Sequence, residues 1–77
     1  MIDLKIPGHN RRLAESWLLD QEFVMWLATM RPGHAPVQVL LCLCGAESLE
    51  SLDSAAAHRF HSRIRVPFMA HLGVHNC

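Results

Sequence analysis

Residues 37–44 have the sequence VQVLLCLC, and they lie between Pro36 and Gly45. The run is apolar except for Gln38, and its two valines are β-branched and favour extended backbone. A short apolar run that ends at a residue typical of turns is characteristic of a strand buried on both faces. The sequence therefore predicts a central strand here, and the remaining elements are placed around it.

The segment before this run predicts one strand and one long helix. Residues 2–6, IDLKI, alternate apolar and polar side chains and are followed by Pro7-Gly8, as in a half-buried strand. Asn10 is a suitable N-cap for a helix that continues to about Met30, where Arg31-Pro32-Gly33 would end it.

The segment after Gly45 predicts a second helix and a last strand. Residues 46–64 place their large apolar side chains on one helical stripe, with acidic residues early and basic residues late, and Ser48 or Ser51 could cap the start. Residues 66–74 alternate apolar side chains with others, as a strand does. Pro67 cannot donate a ladder hydrogen bond, so this strand would lie at an edge.

These elements predict a single small domain over residues 1–77 with the order β-α-β-α-β. Right-handed crossovers between parallel strands would put both helices on one face of a three-stranded sheet. The expected fold class is therefore α/β, or α+β if the strands are not all parallel.

The composition predicts a packed protein that associates with itself. Hydrophobic residues make up 51% of the 77 residues and charged residues 18%, which leaves little polar surface. Seven basic residues balance seven acidic ones, so neither nucleic acid nor an anionic membrane is the expected partner. Three cysteines are an odd number and favour reduced thiols in the cytoplasm, and no run is long enough to cross a membrane.

An alternative interpretation is a soft-metal site for zinc or copper. The predicted sheet would bring Cys42, Cys44, His71 and His75 to one face, with Met69 and Cys77 nearby. Two cysteines in a Cys-x-Cys pair on a flat strand lie about 7 Å apart, which is wide for chelation. Buried structural cysteines are the favoured interpretation, so no cofactor and no metal is predicted.

Three further groups of residues give weaker functional signals, and none of them supports an enzyme. His58 and His61 could share a ligand, but late-helix imidazoles commonly lie in solvent. Cys44 at the start of a helix could have a lowered thiol pKa, yet no general base accompanies it. Arg59, Arg63 and Arg65 form a basic edge without interleaved aromatic residues. The sequence therefore predicts no catalytic residue.

The first predicted helix carries more apolar surface than one sheet can cover. One flank, which includes Leu13, Trp17, Leu18 and Met25, is expected to face the sheet. The other flank predicts an interface, because large exposed apolar patches mark interaction sites. Its residues are Leu19, Phe23, Trp26, Leu27 and Met30. The predicted function is a non-enzymatic interaction or regulatory protein that forms a homodimer and binds a larger protein through an apolar surface.

The predicted element order, with Met30-Arg31-Pro32-Gly33 before the second strand, resembles that of small sulfur-carrier proteins. That family has a Cys-Pro-x-Pro motif at the start of its first helix, where this chain has Pro7-Gly8-His9-Asn10. No residue role carries over, and the resemblance implies only the alternative of a cysteine-based sulfur or redox carrier.

Overall fold

The computed structural model describes residues 8–54 and 57–73, with Ala57 described in its backbone alone. The described chain is helical and contains no strand, so the prediction of an α/β fold with a three-stranded sheet is wrong. The α-helices are α1 (His9–Trp17), α2 (Gln21–Met30), α3 (Pro36–Cys44), α4 (Ala57–Arg59) and α5 (Val66–His71). A 3₁₀ turn spans Glu50–Asp53, and a π-helical segment spans Phe60–Arg65. We call the uninterrupted run of α4, the π-helical segment and α5 the C-terminal helix.

The run that predicts a central strand is helix α3. Pro36 occupies a first-turn position, where its missing N–H costs no hydrogen bond, after Ala35 in an extended conformation. Gly45 ends the helix with a φ of 68°: its N–H donates to the Cys42 carbonyl, and the Ala46 N–H donates to the Leu41 carbonyl at 2.9 Å. These two bonds form a Schellman motif, which requires a left-handed residue and so favours glycine. The terminal residues therefore specify a helix that the apolar run alone does not reveal.

The single helix predicted over residues 10–30 is two helices, separated by residues 18–20. Asp20 is the N-cap of α2, and its carboxylate accepts a hydrogen bond from the Glu22 backbone N–H at 2.9 Å. A second N-cap in the middle of the apolar pattern begins a separate helix. The predicted end at Met30 is confirmed, since α2 ends there.

The strand predicted over residues 66–74 is also wrong, because Val66–His71 form α5. Pro67 lacks an N–H, and in a regular α-helix its ring would clash with the carbonyl four residues earlier. The preceding wide turn avoids that geometry, since the Val66 N–H donates to the His61 carbonyl, five residues back. The strand predicted over residues 2–6 lies outside the described residues, as does Val74.

The core is built around aromatic rings. Phe68 is the central ring, with centroids 4.8 Å from Phe23 and 5.4 Å from both Trp17 and Trp26. Trp17 also lies 5.8 Å from Phe60. The buried hydrophobic residues are Ala14, Phe23, Trp26, Leu27, Val39, Leu40, Cys44, Leu52, Phe60, Ile64 and Phe68. Tilted and edge-on pairs at these separations add to the stabilisation from burial, so α1, α2 and the C-terminal helix share one core.

The molecule is thin in one direction, with principal extents of 33 × 31 × 19 Å. A helix with its side chains is about 10 Å across, so the thickness corresponds to two layers of helices. In the part of the chain that the structure describes, no helix is both long and apolar enough to cross a membrane.

Candidate functional site

A surface groove lies between α2 and the end of α5. It has a volume of about 380 Å³ and is lined by Gln21, Glu22, Met25, Trp26, Thr29 and His71. Five of these residues come from one face of α2, and His71 is the last residue of α5. We call this feature the α2 groove.

The groove combines an exposed apolar side chain with a buried aromatic ring. Met25 is 61% exposed, whereas the neighbouring Trp26 is only 5% exposed. Trp26 packs against Phe23 and Phe68, with centroid separations of 5.8 and 5.4 Å. The tryptophan therefore forms a rigid part of the groove wall. The flexible Met25 side chain, in contrast, can change conformation to fit a ligand.

Four of the six lining residues are polar, but most of the exposed lining is apolar, and two of the polar residues are held in place. The Thr29 hydroxyl donates to the Trp26 carbonyl at 2.6 Å and is thus turned towards its own helix. The His71 ring stacks on Phe68, with centroids 6.4 Å apart and an interplanar angle of 20°, and lies 6.4 Å from Trp26. Glu22 is the one acidic residue among those that line the groove. Such a surface suits an apolar ligand with a small polar complement.

The structure divides the predicted interface residues between core and surface. Phe23 and Leu27 are completely buried within the chain, and Trp26 is nearly so. Leu19, in the turn between α1 and α2, is 89% exposed, and Met30 is partly exposed at the end of α2. Self-association therefore stays a prediction. Leu19 and Met30 are accessible to a second copy, whereas Phe23 and Leu27 are not.

The opposite flank of the predicted long helix is divided in the same way. Leu13, Trp17 and Leu18 pack against the core, as expected of residues facing inward, but they meet helices rather than a sheet. Met25, assigned to the same flank, is the exposed residue of the α2 groove. The break at Asp20 is the reason, because it changes the rotation of the second half relative to the first.

The described residues of the predicted metal site, Cys42, Cys44 and His71, are not brought together. Two positions apart on a helix corresponds to a rotation of about 200°, so Cys42 is exposed while Cys44 is buried. His71 lies against Trp26, and His75 and Cys77 are outside the described residues. Within residues 8–54 and 57–73, no group of three or more His, Cys, Asp and Glu side chains is arranged to hold a metal ion.

The environment of Cys44 is the reverse of that predicted for a reactive thiol. It lies at the C-terminal end of α3, not at a helix N-terminus. Burial raises the pKa of the Cys44 thiol to about 11, and the nearby positive charges of Arg63 and Arg59 offset only part of this effect. The thiol is thus protonated at neutral pH, and the nucleophile hypothesis has no support at this residue.

The predicted basic edge has a structural role at the end of α3. Arg63 Nη1 donates to the Leu43 carbonyl at 3.5 Å, and the Arg59 guanidinium packs against Gly45. Cations at a helix C-terminus interact favourably with its unpaired carbonyls. Arg65, His58 and His61 are exposed on the C-terminal helix, as expected for solvated late-helix residues.

The sequence patterns above do not predict the α2 groove. Part of the groove does have a local sequence signal. With Asp20 as a second N-cap, helical spacing places Gln21, Met25 and Thr29 on one face. The contribution of His71 had no comparable signal, because it depends on how the C-terminal helix packs across α2.

No known protein family, curated protein or solved structure matches this chain.

Proposed function

We propose that this protein is a non-enzymatic interaction protein that binds apolar side chains of a larger protein in the α2 groove and associates with itself. The observation that carries the proposal is the pairing of a highly exposed Met25 with the buried aromatic wall formed by Trp26. An exposed apolar side chain that borders a groove with an aromatic wall is a suitable contact for apolar groups of a partner.

The shape and chemistry of the groove favour a protein segment as ligand. Small-molecule pockets commonly bury most of their ligand, whereas Met25 is mostly exposed and leaves the groove open to solvent. An amphipathic helix that places one or two apolar side chains in such a groove would gain most of its affinity from a few anchors. Its polar face could meet Glu22 and His71 at the rim.

Free thiols fit a protein that works in the cytoplasm, which we include in the proposal. Cys42 and Cys44 are free, and Cys42 is exposed, an arrangement that a reducing compartment preserves.

A photo-crosslinking amino acid at position 25 provides the test. In cells, the probe at Met25 is expected to give a discrete crosslinked partner that the same probe at Glu15, an exposed position on α1, does not give. The partner would then be purified and titrated with the intact chain, with Met25→Lys and with Glu15→Lys. We expect the lysine at position 25 to weaken binding by about tenfold or more, because it places a charge in an apolar contact.

Equal crosslinking from both positions would contradict the proposal. So would a partner that binds Met25→Lys as tightly as the unmodified chain, provided that circular dichroism shows the variant to be folded.

A further inference from the structure

The C-terminal helix carries positive charge, and no acidic residue accompanies it. Asp53 is the last Asp or Glu in the sequence, and three of the seven basic residues follow it. The equal totals of acidic and basic residues therefore conceal a separation of charge along the chain. The charged and ionisable side chains of α4 and the π-helical segment are all exposed, and we call them the basic face. Its residues are His58, Arg59, His61, Arg63 and Arg65.

Two arginines of the basic face are held in place by the backbone of α3. Arg59 and Arg63 are four residues apart and so lie about one helical turn apart on the same side of the C-terminal helix. Arg63 Nη1 donates to the Leu43 carbonyl at 3.5 Å, and the Arg59 guanidinium packs against Gly45. Both side chains are nevertheless exposed, so they present ordered guanidinium groups to solvent.

These contacts do not neutralise the basic face. The C-terminal end of a helix carries roughly half a negative charge, which is less than the charge that Arg59 and Arg63 bring to the end of α3. In the part of the chain that the structure describes, the one side-chain ion pair joins Arg11 to Glu50 at 3.9 Å. The positive charge of the basic face is therefore available to an acidic partner.

A membrane surface and a nucleic acid fit this face less well. A helix that binds a membrane surface inserts its apolar side chains, but Phe60, Ile64 and Phe68 are buried in the core of the molecule. The same burial leaves neither phenylalanine ring available to stack on a base. Strong binding to duplex phosphates uses on the order of 6–10 cationic contacts, and the basic face has only its three arginines and two histidines.

An acidic helix of a partner protein matches the basic face in chemistry and in spacing. The planar guanidinium of arginine binds a carboxylate through two parallel hydrogen bonds, and arginine is enriched at protein interfaces. Glutamates four residues apart lie on one side of a helix, with the same one-turn spacing as Arg59 and Arg63. The two rows of side chains can therefore pair along parallel helix axes.

We infer that the basic face binds an acidic helical segment of a partner protein, through pairs of carboxylates with arginine. The basic face and the α2 groove share no residue. The inference therefore does not depend on the groove partner, and failure of either proposal leaves the other standing.

A titration with synthetic peptides tests the spacing. The probe is a fluorescent, alanine-rich helical peptide with its glutamates four residues apart, and the control is a peptide of the same composition with its glutamates distributed around the helix. We expect the first peptide to bind the intact chain about fivefold more tightly or better. Equal affinities would overturn the inference, as would tighter binding of duplex RNA of the same total charge.

Matched arginine variants locate the binding surface. Arg63→Gln retains an N–H donor for the Leu43 carbonyl, and Arg65→Gln removes a charge that makes neither contact with α3. Each is expected to weaken peptide binding by about threefold or more. Arg31→Gln, at the exposed end of α2, changes the net charge equally and should alter the affinity by less than about twofold. An equal loss in Arg31→Gln, or no loss in the other two variants, would overturn the inference.

Nuclear magnetic resonance of the unmodified chain gives a readout that does not depend on any variant. Addition of the same peptide should shift the backbone amide resonances of residues 58–65 more than those of residues 21–29, which include the α2 groove. Larger shifts in residues 21–29, or shifts spread evenly over the chain, would overturn the inference.

Discussion

The Asp53 carboxylate accepts a hydrogen bond from the backbone N–H of Asn10 at 2.7 Å, across 43 positions in the sequence. The same oxygen also accepts from the Arg11 N–H at 3.3 Å, and the Asn10 amide donates to the Leu52 carbonyl at 3.1 Å. Helix α1 begins after Gly8 and has no side-chain cap of its own. The 3₁₀ turn therefore caps α1 from a distance, and the prediction of Asn10 as the N-cap is wrong.

Asp53→Ala is expected to lower the free energy of unfolding by about 1–2 kcal/mol, because two N-terminal N–H groups of α1 lose their acceptor. Urea unfolding followed by circular dichroism measures this. Glu50→Ala is the control, since Glu50 makes only a 3.9 Å surface ion pair with Arg11 and its loss should cost less than about 1 kcal/mol. Equal costs for the two variants would show that the cap contributes nothing specific.

The neighbours Trp26 and Met25 are expected to respond differently to truncation. Trp26→Ala removes a ring from the aromatic core and should cost about 3–5 kcal/mol. Met25→Ala removes an exposed side chain and should change stability by no more than about 0.5 kcal/mol. Urea unfolding of both variants at one protein concentration decides the matter, and a folded, stable Trp26→Ala would mean that this tryptophan is not part of the core.

The raised pKa of Cys44 predicts a loss of stability at alkaline pH. In the unfolded chain the thiol ionises near its ordinary pKa of 9.0, and in the folded chain near 11, so the unfolded state releases its proton first. Stability is therefore unaffected below about pH 9 and falls between about pH 9 and 11, by roughly 2–3 kcal/mol at most. Unfolding measured across this range should show a shallower decline in Cys44→Ala than in the intact chain. The same slope in both would assign the alkaline loss to groups other than Cys44.

Alanine substitutions at two glycines with positive φ separate the cost of backbone strain from the cost of a steric clash with a neighbouring side chain. Gly45 has a φ of 68° and faces the Arg59 guanidinium, whereas Gly33 has a φ of 88° and has nothing near its missing Cβ. Both alanine variants should lose about 1 kcal/mol, with a further loss for Gly45→Ala because the guanidinium must move. In an Arg59→Ala background the extra loss should disappear, as thermal unfolding of the four variants can show. An unchanged difference would mean that Arg59 does not account for it.

The sequence predicted some elements well where their signals were local. Helix termination at Met30 followed from Arg31-Pro32-Gly33, and much of the apolar content of α1 and α2 does face a core. The error at residues 37–44 came from giving the apolar run more weight than its ends. Pro36 and Gly45 are a favourable first-turn residue and a favourable C-terminal residue for a helix, and a helix buried on most sides can be as uniformly apolar as a central strand.

Other features depend on contacts that no local pattern encodes. The cap that Asp53 provides for α1 requires knowledge of which turn packs against which helix end. The α2 groove likewise requires His71 to lie beside Trp26, from elements far apart in the chain. The expected grouping of histidines and cysteines depends on a sheet face that residues 8–54 and 57–73 do not form.

The π-helical segment keeps the buried residues of the C-terminal helix on one side of the helix axis. Phe60, Ile64 and Phe68 are all buried and are spaced by four residues, a spacing at which an α-helix rotates each successive side chain about 40° past the previous one. The wider turn before Pro67 has more residues per turn and counteracts this drift. Deleting one exposed residue there, such as Ser62, would rotate Phe68 and His71 by about 100° relative to Phe60. The number of residues in this turn is therefore more tightly constrained than the identity of its solvent-facing side chains.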